Sequence, residues 1–110
     1  MEMNDQLLQA WENTLPQTLN AGDTAKVWLD ERDGEALRIR IDTKGRQGYG
    51  FDFRLTYLDS REVKVDVLDV STAGLTDNNH AENVQELTDD YVRHIHESAQ
   101  ILQNITNPHH

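Results

Sequence analysis

The chain has 110 residues, with 20 Asp and Glu against 10 Lys and Arg and a formal net charge of −10. That length suits one small domain, residues 1–110 with ends fraying at about 1–3 and 106–110, and the charge argues against nucleic-acid or anionic-membrane binding by bulk attraction. The chain has no cysteine, no apolar run near the roughly 18 residues a membrane helix needs, and no basic residue before Lys26. Disulfides, thiolate chemistry, a membrane span and a secretory signal are therefore not expected, and the default address is cytoplasmic.

Residues 5–15 read as a short helix. Asn4 or Asp5 can cap it, and Leu7, Leu8, Trp11 and Leu15 recur at helical spacing. Pro16 has no N–H to donate, so the helix is expected to end or kink there. Asn20, Gly22 and Asp23 mark a turn.

From 24 to 70 the apolar period becomes two. Val27 and Leu29, then Leu37, Ile39 and Ile41, then Tyr49, Phe51, Phe53, Leu55 and Tyr57, then Val63, Val65 and Val67 each alternate with polar residues. Four half-buried strands with short connections imply an antiparallel meander. The alternation also selects the turns. A two-residue loop at Asp33-Gly34 would oppose Leu29 to Arg38, whereas Arg32-Asp33-Gly34 as a three-residue loop pairs Leu29 with Leu37 and Val27 with Ile39. Gly34 is then expected in the left-handed position of a bulged turn. An odd loop at Asp59-Ser60-Arg61 pairs Leu55 with Val65 and Phe53 with Val67, and sets Arg54 beside Asp66.

Asn79 with Glu82 resembles a capping box opening a helix over about 79–105, which Asn107-Pro108 stops. Val84, Tyr91, Ile95 and Leu102 line up at 3.6-residue spacing, flanked by Leu87, Ala99 and Ile105, while Glu82, Glu86, Asp89, Arg93 and Glu97 lie opposite. The expected architecture is an α+β two-layer sandwich of order α-β-β-β-β-α, with both helices on the sheet face that carries the aromatics.

The charge is unevenly spread. Residues 1–25 hold four acids and no base (−4), residues 26–64 nine bases and eight acids (+1), and residues 65–110 eight acids and Arg93 (−7). By alternation Lys26, Trp28, Arg38, Arg40, Arg54 and Lys64 project from the outer sheet face, diluted by Asp30, Asp52 and Asp66. Trp and Arg are residues that interfaces favour, so Trp28, Lys26, Arg38, Arg40 and Arg54 form the candidate interaction surface. Glu82, Glu86, Asp89, Asp90 and Glu97 form an acidic helix face, which is most simply solvated. The same face on a second copy could meet the basic-tinged sheet in a homodimer.

Catalytic apparatus is not recognisable. There is no GxSxG, and no serine with a His and Asp partner. Gly45-x-x-Gly48-x-Gly50 precedes a strand rather than a phosphate-holding helix. The His/carboxylate pair with ligand-like spacing is Asp90 with His94, at i and i+4, with Glu97 three residues on, although a boundary histidine beside Asp90 is the simpler reading. His80, His96, His109 and His110 suggest no site, and no metal or other cofactor is expected. The residues point to a non-catalytic interaction or regulatory domain with a protein partner or itself. The alternative is a small-ligand or metal-binding protein using the sheet–helix core, with Tyr49, Tyr57, Tyr91 and His94 as polar handles and Asp90 beside His94. No motif identifies a family.

Overall fold

The structure, a computed structural model, describes residues 5–19, 22–32, 34–43, 49–59, 62–71 and 80–103, leaving aside the side chains of 80–83. Its elements are α1 (Asp5–Thr18), β1 (Thr24–Leu29), β2 (Ala36–Asp42), β3 (Gly50–Tyr57), β4 (Val63–Ser71) and α2 (His80–Ile101). The strands form one sheet of order β1-β2-β3-β4, every pair antiparallel, as the alternation implies. Among the described residues no helix is long and apolar enough to cross a membrane.

Helix α1 runs three residues beyond its expected end, through Pro16 to Thr18. Pro16 lies in the last turn, where its missing N–H forfeits the bond to the Glu12 carbonyl and the helix ends two residues later. The Thr18 hydroxyl closes the turn by donating to the Leu15 carbonyl at 2.9 Å. The reversal into β1 uses Gly22, whose φ of 90° an L side chain rarely adopts. Asn4, Asn20, Asn79, Ile105, Asn107 and the Glu82 side chain, on which other cap, turn and stripe expectations rest, lie outside the described residues.

The registers follow the turn argument. Leu29 pairs with Leu37, Val27 with Ile39, Leu55 with Val65 and Phe53 with Val67. The β1–β2 turn is built differently from the expectation, because Gly34 carries no positive φ. Instead Asp30 Oδ1 accepts the Arg32 N–H at 2.8 Å and the Asp30 N–H donates to the Ala36 carbonyl at 3.1 Å. An aspartate turn thus replaces the left-handed glycine. A β-bulge at Asp52/Phe53 was not foreseen, and beyond it Asp52 faces Asp69 and Phe51 faces Val70. It leaves Leu68 unmatched on the edge strand β4, where Val67 and Leu68 are both exposed.

The core fills the space between the sheet and the helices. Leu7, Trp11 and Leu15 of α1 and Tyr91, Ile95, Ala99 and Leu102 of α2 close over Leu37, Ile39, Ile41, Phe51, Phe53, Leu55 and Tyr57. Three polar links fix the helices. The Trp11 indole N–H donates to the buried Tyr57 hydroxyl at 3.0 Å, the Tyr91 hydroxyl donates to Asp23 at 2.8 Å, and the Thr18 and Ser98 hydroxyls lie 3.1 Å apart. Burial raises the Tyr57 pKa, the Trp11 bond opposing it only in part. With both helices on the inner face, the outer face of the sheet has no covering layer among the described residues.

Candidate functional site

Alternation along β1, β2 and β3 puts Lys26, Trp28, Arg38, Arg40 and Arg54 on that outer face, and cross-strand pairing brings them together. Trp28 lies opposite Arg38, Lys26 opposite Arg40, and Arg38 opposite Arg54. The Arg38 guanidinium carbon sits 5.7 Å from the Trp28 ring centroid, within cation–π range, while Trp28 stays 38% exposed.

Three other bases of the face, Arg40, Arg54 and Lys64, are held by acids. Arg40 reaches Asp42 at 3.0 Å and Asp52 at 2.9 Å. Partial burial lowers its pKa, but the hydrogen bonds and charges of Asp42 and Asp52 outweigh that, so the net shift is upward. Lys64 lies 3.8 Å from Asp66. Arg54 does not use Asp66, its register partner. Its Nε reaches across β2 to Asp30 Oδ2 at 3.1 Å. The Asp30 side chain is only 3% exposed, so it is a buried anchor rather than the solvated diluent expected from sequence.

These contacts shape an open groove of about 500 Å³ on the outer face at the β1–β2 turn, lined by Trp28, Asp30, Glu31, Arg32, Arg38 and Arg54. Of its bases Arg54 is held by Asp30, but Arg38 is not. The Arg38 Nε is buried without a hydrogen-bond partner, and among the described residues no carboxylate pairs with it. Arg32 and Glu31 enter the site only because the aspartate turn folds them over the strand ends. The sequence signal for this was Asp30 itself, two residues past Trp28 and so on the same face, and two residues before the N–H it caps.

The other candidates are not assembled in the same way. Asp90 pairs with Arg93 at 2.9 Å rather than with His94. The His94 Nδ1 is buried without a hydrogen-bond partner, and its nearest carboxylate is Glu97 at 3.8 Å. Among the described residues no three potential ligands cluster for a metal. Of the polar handles expected in the core, Tyr57 is engaged by Trp11 and Tyr91 by Asp23. Glu86, Asp89, Asp90 and Glu97 are exposed on α2, as a solvated face would be. Since α2 covers the inner side of the sheet, this acidic face and the Trp28 groove belong to opposite layers.

Comparison with protein-family models, with curated proteins and with solved structures gives no significant match.

Proposed function

We propose that the chain is a non-catalytic, cytoplasmic recognition domain that binds a protein partner through the outer face of its sheet. The observation that carries this reading is Trp28, a large aromatic left 38% exposed on the outer sheet face and stacked against Arg38. Trp and Arg are both enriched at the few residues that carry most of the binding energy in protein interfaces. The stack also holds both side chains in place before a partner arrives, which lowers the ordering cost of association. Arg40 and Arg54, tied to aspartates, supply a rigid surround.

Self-association has a geometric consequence. A contact between the groove of one copy and the acidic α2 face of another joins opposite layers, so it is head-to-tail and adds copies until a ring closes. A self-complementary dimer through the outer face instead stops at two. The test is crosslinking and capture with Trp28→Ala and Arg38→Glu variants, with circular dichroism confirming their fold and native mass spectrometry reading the assembly. Loss of the same partner in both variants supports this surface; unchanged partners and assembly in both reject it.

A further inference from the structure

Arg38 and Arg54 are directly opposed on adjacent antiparallel strands, an arrangement of like charges that normally destabilises a sheet. Asp30 offsets half of it by holding Arg54 Nε, but among the described residues no carboxylate does the same for Arg38, whose Nε is buried and unpartnered. Both guanidinium groups line the same open groove, with Arg32 beside them and the Trp28 ring as a wall.

We infer that this groove is an oxyanion site, in which a carboxylate or phosphate group lies between Arg38 and Arg54. Two opposed guanidiniums offer charge-assisted donors that a planar carboxylate or a phosphate accepts in pairs. The anion supplies the negative charge that the sheet lacks at Arg38, and the body of the bound group lies against Trp28. The volume of about 500 Å³ accommodates more than the anionic group itself, within the range of small-ligand clefts. Arg40 has no such vacancy, since Asp42 and Asp52 already occupy its guanidinium. This inference rests on the recognition reading and gives the partner's chemistry: it presents an acidic or phosphorylated group.

The experiment is a nuclear magnetic resonance titration of the full chain with sodium phosphate and, separately, sodium acetate, each at constant ionic strength against sodium chloride. Saturable shifts of the Trp28 indole and the Arg38 and Arg54 Nε resonances are expected, with half-saturation on the order of millimolar for an unattached anion. Tighter binding of phosphate marks a phosphorylated group; comparable binding of acetate marks an acidic side chain. Arg38→Gln is expected to weaken binding at least about tenfold, and Lys64→Gln, on the outer face but paired with Asp66 and outside the groove, to leave it unchanged. Shifts no different from chloride, or equal losses in both variants, would overturn the site. If no anion binds while Trp28→Ala still removes a partner, the recognition reading stands without this one. If the anion binds and Trp28→Ala and Arg38→Glu leave partners and assembly unchanged, only the recognition reading falls.

Discussion

Replacing Asp30 by alanine tests the anchor beneath the groove. The change removes the 3.1 Å bond to Arg54 Nε and the 2.8 Å bond from the Arg32 N–H. Bonds to charged groups contribute roughly 1.5–3 kcal/mol when buried, and exposed ion pairs roughly 0.2–1. Asp30 is 3% exposed and Arg54 36%, so the pair belongs between those limits, at about 1–1.5 kcal/mol. The Arg32 N–H can recover a water, which limits that loss to about 0.5–1 kcal/mol. With renewed Arg38–Arg54 repulsion, the expected cost is about 2–3 kcal/mol. At roughly 2.1 cal/mol/K per residue of unfolding entropy, the midpoint falls by about 9–13 °C. Urea denaturation of Asp30→Ala, Arg54→Gln and the double variant measures the pair directly, with an expected coupling of about 1–1.5 kcal/mol. Asp66→Ala, which removes the register partner of Arg54 but no bond to it, is expected to cost under about 0.5 kcal/mol. Additivity of Asp30→Ala and Arg54→Gln within about 0.5 kcal/mol would refute the anchor.

Two further substitutions probe the sheet and the core. A Cβ at Gly50 would lie 2.6 Å from the Arg40 Cζ and 3.0 Å from Asp42 Oδ1, so Gly50→Ala must displace the Arg40 guanidinium. Chemical denaturation should show a loss of about 1–2 kcal/mol, replaced in an Arg40→Ala background by a gain of about 0.5–1, because alanine suits a strand better than glycine. Tyr57→Phe strands the Trp11 N–H and should cost about 1–3 kcal/mol at neutral pH. Because burial raises the Tyr57 pKa above 10.0, the unfolded chain releases that proton first. The contribution is therefore whole below pH 10 and is lost as pH rises through the folded value. Denaturation at a series of pH values from 7 to about 11.5 should give a shallower alkaline decline for Tyr57→Phe than for the parent; equal slopes would reject the linkage.

The strands and their order were legible because the inward residues of β2 and β3 are all odd-numbered and apolar, and a one-residue slip would turn Arg38, Arg40 or Arg54 into the core. The bulge was visible only as a phase change, since the apolar residues of β4 run 63, 65, 67 and then 68 and 70. Side-chain partnerships were less legible. Register placed Arg54 beside Asp66, yet a side chain of that length also reaches Asp30 two strands away, and the enclosed carboxylate won. Similarly Asp90 is i+4-spaced with His94 but i+3-spaced with Arg93, whose permanent charge makes the better partner than an imidazole. Spacing shows which pairs are possible; charge state and burial choose among them.

The groove and the whole chain have opposite charge, and salt decides which an anion meets. Arg32, Arg38 and Arg54 against Asp30 and Glu31 leave the groove at +1, while the molecule carries −10. The acids of α2 lie across the two layers, a distance comparable with the molecule's shortest extent of 20 Å. Screening acts over about 30 Å at 0.01 M salt, 10 Å at 0.1 M and 3 Å at 1 M. At roughly 20 Å in water, the three net negative charges of Glu86, Asp89, Asp90 and Glu97 less Arg93 repel a monoanion by about 0.3 kcal/mol at 0.01 M and about 0.1 at 0.1 M. Contacts at the groove itself are much shorter than 10 Å and weaken little over that interval. Phosphate affinity at Arg38 is thus expected to rise about 1.5-fold per unit of ligand charge between 0.01 and 0.1 M, then fall toward 1 M. Titration of the Arg38 Nε resonance in a weakly binding sodium salt at those three concentrations reads the profile. A steady fall from the lowest salt would mean that the groove alone sets the field, and that the distant acids of α2 have no part in what binds there.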